Sequence, residues 1–206
     1  MSDYATVADL KTALRITDTT DDLELSLAIQ VASEMIDRST GTRFWTPTTA
    51  ETLRYTALTP RLVVIDDLPS TVSGAAPAVT VAIDNDADET IETMLSASDY
   101  TLLPRNAAVN GEPYTSIAVT VNGSYTFPMI EGGVSVTAKF GYSDAVPPEV
   151  KRACMIQAIR IFKRRDSPFG VSGTNNFGQL QVIPTIDPDV KLMLAPFKRL
   201  AMGALP

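Results

Sequence analysis

The apolar and polar positions of the run DDLELSLAIQVASEMIDRSTGTRF, from Asp21 to Phe44, follow a helical period. Leu25, Ala28, Ile29, Val31, Ala32, Met35 and Ile36 fall on one arc of a 3.6-residue wheel. Stepping 100° per residue, that arc is about 160° wide, broader than a two-layer surface helix needs. Ser26, Gln30, Ser33, Glu34, Asp37 and Arg38 take the other side. Asp21 and Glu24 have capping-box spacing, and Gly41 supplies a left-handed stop. The pattern predicts a helix buried against at least two neighbours, drawn from elsewhere in the chain or from another copy of it. Upstream, Thr6 suits an N-cap, with Val7, Leu10 and Leu14 repeating behind it. The polar link Thr17–Thr20 then makes these two helices a hairpin.

From about Glu51 the period changes to two. Leu62–Ile65, closed by Asp66-Asp67-Leu68-Pro69, reads as a strand, as do Val79–Ile83, Tyr100–Leu103, Ile117–Val121 and Val134–Phe140. Each is short, β-branched and bounded by turn residues. Asn110-Gly111 and Asn122-Gly123 have the composition of primed hairpin turns. Val146-Pro147-Pro148-Glu149 opens a third helix, with Pro in the first turn where it is tolerated. Its apolar side holds Val150, Cys154, Met155, Ala158, Ile159, Ile161 and Phe162, and its basic side Arg152, Arg160, Lys163 and Arg164. Gly170–Ile183 has an arm-like composition in which Gln179–Ile183 alternates like a strand. A last short helix starts at Asp187-Pro188, with Val190, Met193, Leu194 and Phe197 on its apolar face and Pro196 ending it.

The expected fold class is α+β: a small antiparallel helical bundle, an inserted antiparallel β domain and an extended C-terminal arm. The expected divisions are residues 1–50 for the helix pair, 51–143 for the β insertion, 144–168 for the third helix, 169–186 for the arm and 187–206 for the last helix. The expected bundle core is Leu25, Ile29, Ala32, Met35, Ile36, Val150, Cys154, Ala158 and Phe162.

Composition then narrows the chemistry. The sequence of 206 residues contains no histidine and one cysteine, Cys154. That excludes every Ser-His and Cys-His arrangement and the commonest metal ligand. A lone cysteine forms no internal disulfide, which suits the cytosol or a particle assembled there. The start MSDYATVADL lacks a basic, apolar leader, so no signal peptide is expected, and no apolar run has the length to cross a bilayer. The net charge of −7 is uneven. Residues 146–206 carry nine Lys/Arg against four Asp/Glu, a net +5, and the remainder of the chain carries −12. This split favours a tail end that meets an acidic partner, such as a neighbouring copy, over a general nucleic-acid binder.

Four features invite a chemical reading. Asp84-Asn85-Asp86-Ala87-Asp88-Glu89 resembles the start of a calcium loop, but Glu89 stands where glycine is required and Leu95 where a bidentate glutamate should be. A solvated hairpin tip explains it better. A carboxylate-dependent hydrolase or calcium-dependent carbohydrate binder using Asp84, Asp86 and Asp88 is the competing class. Cys154 lies on an apolar face with nothing nearby to lower its pKa, so it reads as core. Phe44, Trp45 and Tyr55 read as a seal between helices and sheet in preference to a sugar platform. The glycines of 170–178 match no phosphate-binding motif. No catalytic residue, metal ligand or cofactor is expected.

The order of features resembles the head-tail connector (adaptor) proteins of tailed bacteriophages. The resemblance lies in Val7-x-x-Leu10-Lys11, Asp21-Asp22, Ile36-Asp37-x-x-Thr40-Gly41-Thr42-Arg43-Phe44, Gly141-Tyr142 and Val146-Pro147-x-x-Val150. It continues in Arg164-Arg165-x-Ser167-Pro168-x-Gly170-Val171, Asp187-Pro188-x-Val190 and Leu194-x-Pro196-x-Lys198-Arg199. It covers the helical ends, about half the chain; the β insertion is similar only in length and position. The resemblance implies a homo-oligomeric ring of twelve copies under the portal, a platform for the stopper or tail, double-stranded DNA passing without sequence-specific contacts, and no membrane. Such a protein sits in the virion neck after assembly in the bacterial cytoplasm. The portal-binding arm would comprise Gly170, Val171, Phe177, Leu180, Val182 and Ile183. Read from the residues alone, the basic face of Arg152, Arg160, Lys163 and Arg164, with Arg165 beside it, is a set of subunit or partner contacts, a solvated helix face whose last-turn cations suit the helix dipole, or a contact to DNA phosphates. A stopper or tail terminator is the alternative within the same setting, though such proteins are expected to be mostly β.

Overall fold

A computed structural model describes residues 3–86, 88–121, 123–166, 171–174, 180–182 and 186–198. The chain divides into a helical unit, Met1–Thr42 with Val146–Pro206, and a β unit, Arg43–Ala145. Helices packed together plus antiparallel sheets make the fold α+β, as the periodicities require. No helix among the described residues is long and apolar enough to cross a membrane.

In the helical unit, α1 (Val7–Leu14) begins with a complete capping box. The Thr6 hydroxyl accepts the Asp9 N–H at 3.2 Å, and the Asp9 carboxylate accepts the Thr6 N–H at 2.9 Å. The helix α2 (Asp22–Thr40) ends as expected at Gly41, with φ 70° and its N–H on the Asp37 carbonyl at 2.8 Å. Its start differs from the sequence reading. Asp21 occupies the N-cap position without a side-chain cap bond, because its carboxylate is taken by Arg165. The third bundle helix, α4 (Pro148–Lys163), packs on α2, on α1 and on α5 (Pro188–Leu194). A 3-10 turn, Ala195–Phe197, follows α5 where Pro196 ends it.

Leu25, Ile29, Ala32, Ile36, Val150, Cys154, Ala158 and Phe162 are buried as expected, and Met35 is half-buried beside Gln157. Each fully buried Leu or Ile contributes about 1.5–3 kcal/mol. Two α2 residues change sides. Val31, expected inside, is 45 % exposed, and Ser33, expected outside, is 5 % exposed. The buried arc is thus rotated toward Ser33. Burial is tolerated there because the hydroxyl donates to the Ile29 carbonyl at 2.9 Å and accepts the Tyr4 N–H at 3.1 Å.

The β unit contains two antiparallel sheets. One has the order β1 (Glu51–Tyr55), β7 (Val134–Ala138), β3 (Thr80–Ile83), β4 (Thr93–Leu95); the other has β2 (Leu62–Leu68), β6 (Tyr114–Val119), β5 (Tyr100–Leu103). Strand β7 shows the period plainly: Val134, Val136 and Ala138 are buried and the residues between them half-buried. These join Val63, Ile65, Val81, Ile83, Ile117, Phe127 and Phe140 in a single apolar core.

Three details of the β region depart from the sequence reading. Strand β2 runs through Asp66-Asp67 instead of ending there, with a register shift between Val64 and Leu68. The Asp67 carbonyl accepts the Gly141 N–H at 2.7 Å, so this stretch is held by backbone bonding that composition does not reveal. Asn110-Gly111 is no hairpin turn: Asn110 ends the one-turn helix α3 (Ala107–Asn110), and Gly111, at φ 69°, is its left-handed cap. A two-residue turn and a helix C-cap ask for the same residue types, which is why the pair misleads. The short β4 carried no period long enough to find. Asn122 of the second turn pair lies outside the described residues.

Within the expected arm, β8 (Val171–Thr174) and β9 (Leu180–Val182) pair antiparallel with each other, Val171 opposite Val182 and Thr174 opposite Leu180.

Candidate functional site

The residues expected to meet partners sit on α4 and just after it, and the structure sorts them into two groups. Arg160 and Arg165 are engaged inside the helical unit. Arg160 reaches Asp187 at 3.1 Å and so ties α4 to the start of α5. Arg165 bridges Asp21 at 2.6 Å and Glu24 at 2.9 Å, with its guanidinium 4.4 Å from the Phe162 ring centroid. The two carboxylates hold the Arg165 pKa above its ordinary value. Arg152, Lys163 and Arg164 are exposed and make no ion pair among the described residues.

Further charges lock the bundle at its α1 end. Lys151 pairs with Asp9 at 2.9 Å and Lys11 with Asp22 at 2.8 Å. The Lys151 bond first, and the Thr6 bonds after it, hold the Asp9 carboxyl at about 2, well below the usual carboxylate range. Buried Gln157 joins three helices, accepting the Asp187 N–H at 3.2 Å and lying 3.7 Å from the Met35 sulfur. The Tyr4 hydroxyl donates to Asp37. Sequence reading missed these polar ties. Their partners are 11 to 142 residues apart, and only the fold brings them together.

Of the expected arm residues, Val171, Leu180 and Val182 lie in the β8–β9 pair; Gly170, Phe177 and Ile183 lie outside the described residues. Cys154 is buried, its thiol pushed up to about 11 by desolvation, which makes it a packing residue. Phe44 stacks at a tilt on Tyr142, centroids 5.4 Å apart, and Arg43 lies 4.9 Å over the Trp45 ring while binding Glu51 at 2.8 Å. These contacts all lie within the β unit, near the residues where the chain enters and leaves it.

The acidic turn brings Asp84, Asp86, Asp88 and Glu92 together, with carboxylate oxygens within 4.8 Å of one another. Four such oxygens have the chemistry to hold a hard cation. Their visible partners are the turn's own backbone. Asp84, buried, accepts the Glu89 N–H at 3.0 Å, and Asp88 accepts the Thr90 N–H at 2.7 Å, which lowers its pKa. Glu89 itself takes φ 70°, the left-handed backbone that a calcium loop reserves for glycine. An open groove of about 590 Å³, lined in part by Val79, Tyr100, Leu102, Arg105 and Tyr114, is the other concavity of note in the β unit. It was not legible in the sequence, and its Tyr100 hydroxyl is committed to the Val79 carbonyl at 2.8 Å. Neither place pairs a nucleophile with a base among the described residues.

Residues 4–89, from the start of the helical unit to the acidic turn, match the family described as phage gp6-like head-tail connector protein. That stretch is similar to this connector family. It is a family of structural connectors, not of enzymes. The fold is also similar to solved structures. A chain in a structure titled "Neck of empty GTA particle computed with C6 symmetry" superposes with a TM-score of 0.57 at 18 % identity, covering 97 % of this chain and 92 % of that one. A chain in "Virion of native gene transfer agent (GTA) particle" gives 0.54 at 18 % identity, covering 96 % and 91 %. No curated protein matches by sequence. The family match ends at Glu89, and the structural likeness, which covers 97 % of the chain, shows a shared fold.

Proposed function

We propose that this chain is a structural adaptor in the neck of a tailed phage or phage-like particle, working as a ring of identical copies beneath the portal. The family match over residues 4–89 carries the reading. The likeness to a chain from a six-fold-averaged neck supports a ring, and twelve copies fit that symmetry as two per repeat. The ring offers a platform to a stopper or tail-completion protein and surrounds the exit path of double-stranded DNA. A chain with net charge −7 suits such a conduit, since a lumen making many phosphate contacts would retain DNA. The segment Gly170–Ile183 is the element that engages the portal, through main-chain pairing of the kind a short strand offers to a sheet edge. Its two strands pair with each other in the free chain, so docking exchanges that partner for another.

Particles assembled without this chain should contain filled heads that acquire no tails. Normal tail attachment in its absence overturns the proposal. Deleting residues 170–183 should abolish portal binding and leave the melting temperature of the helical unit unchanged. Undiminished portal binding by that deletion removes the arm from the account.

A further inference from the structure

The outer face of α2 carries a line of large apolar side chains that no described residue covers. Leu23 is 74 % exposed, Leu27 53 % and Val31 45 %. They are spaced by four, so they lie in one row, on the side of the helix away from buried Leu25, Ala32 and Ile36. Single exposed leucines are ordinary; three in a row on one helix mark an interaction surface. The outer face of α4 is of the matching kind. Arg152 and Lys163 are exposed there, with half-buried Ile156 and Ile159 between them.

The charges give this pairing a direction. Helix α2 begins with Asp21, Asp22 and Glu24 and ends with Arg38, whose side chain is 80 % exposed. Helix α4 begins with Glu149 and ends with Lys163, followed by Arg164. Laid antiparallel, the two helices bring the acidic start of α2, with Glu24 nearest the row, to the basic end of α4 and Arg38 to Glu149; laid parallel, they put like charges together. Inside one chain the same polarity is already in use, since Arg165 after α4 bridges Asp21 and Glu24 at the start of α2. The unit is also balanced in two halves. Residues 1–42 hold three Lys/Arg against eight Asp/Glu, a net −5, and residues 146–206 hold a net +5.

We infer that the occupant of the α2 stripe is the outer face of α4 from a second copy of this chain, packed antiparallel. Because the two surfaces differ, the contact is heterologous, and repetition closes into a ring where the rotation allows. This rests on the ring proposed above and names its seam. Pairing of α2 with α2 would instead stop at a dimer, and it would leave Arg152, Lys163 and Arg164 without counter-charges.

Two full-length variants test it by mass in solution over a range of concentrations. Leu23→Asp with Leu27→Asp spoils the α2 face, and Arg152→Glu with Lys163→Glu spoils the α4 face. All four positions are exposed, so both variants should melt close to the wild type. The wild type should form species larger than a dimer, and each variant should associate at least tenfold more weakly. Mixed one to one, the two variants should form dimers and nothing larger, because each retains one intact face. Self-association of the α4-face variant at wild-type strength would mean α2–α2 pairing and overturn the inference. So would wild-type oligomers that both variants reproduce, an outcome that leaves the ring itself standing. A wild type that stays monomeric at every concentration overturns the seam in the free protein, while tail attachment to particles still decides the neck role separately.

Discussion

The two units are held by different physics. In the β unit the main interior is an apolar cluster fed by alternating strand residues, with Asp67 and Asp84 its buried polar residues and Arg43–Glu51 an ion pair at its start. In the helical unit the interior includes Ser33, Thr40, Thr42 and Gln157, and the ion pairs of Lys11, Lys151, Arg160 and Arg165 tie its segments together. The β unit is therefore sensitive to shape and close packing, the helical unit to polar satisfaction and charge. That division suits an adaptor. A bundle whose helices are fastened by charge on their flanks leaves the exposed row of α2 available for the proposed contact with a second copy.

The largest test of the contrast is steric. A Cβ on Gly141 would lie 2.3 Å from the Trp45 carbonyl oxygen and 2.9 Å from its carbon, both backbone atoms that no side-chain rotation can move. Gly141→Ala should cost the β unit about 3 kcal/mol or more. Denaturant unfolding of the variant reads this directly; a loss under about 1 kcal/mol would show that the strand ends yield more easily than a close-packed core should. Ile117→Ala, wholly inside the apolar cluster, should cost about 2–5 kcal/mol through lost burial and the cavity left behind.

The helical unit should respond most to a lost polar partner. Gln157→Leu keeps the volume and apolar fit but leaves the Asp187 N–H without its acceptor, which should cost about 1–3 kcal/mol. An isosteric change of this kind would be close to neutral if the bundle were organised by burial alone. Unchanged stability would place the helical unit in the same class as the β unit. Cys154 reports the same interior without disturbing it. Its buried thiol, with a pKa near 11, should react with a thiol reagent only as fast as the bundle opens, and at the rate of a free cysteine once denaturant unfolds it.

The contrast also explains what the sequence disclosed. Helices α1, α2, α4 and α5 were legible because caps and a 3.6 period are local: Thr6 with Asp9, Gly41, and Pro148 in a first turn. Most strands were legible by alternation. What escaped depends on partners far along the chain. Ser33 reads as a surface residue until Tyr4 is seen to donate to it. Asp21 reads as a cap until Arg165, 144 residues away, takes its carboxylate. Of the expected contact residues, Arg160 and Arg165 carry the same charge as Arg152 and Lys163, and only the fold shows which pair inward. The exposed row Leu23, Leu27, Val31 was hidden for the opposite reason. An apolar arc that is wide in sequence gives no sign of which edge another molecule will cover.

The smallest effect is the most specific to charge. Asp9 has a folded pKa of about 2, lowered chiefly by Lys151 and then by Thr6. An unfolded Asp titrates near 3.9, so the folded state binds this proton less readily than the unfolded state does. Its contribution is therefore complete above about pH 4 and disappears as the pH falls through the folded value near 2. The Asp9 side chain is 27 % exposed and Lys151 44 %, so solvent screening keeps the contribution to about 1 kcal/mol or less. Asp9→Asn keeps a capping oxygen and removes the charge. Relative to the wild type it should be slightly less stable at pH 6 and indistinguishable from it near pH 2, with the gap closing between those values. The same variant in high salt should already match the wild type at pH 6 to within a few tenths of a kcal/mol. A gap that persists at pH 2 would mean that Asp9 acts by shape and hydrogen bonding, and that charge fastens α1 to α4 less than the ion pair suggests.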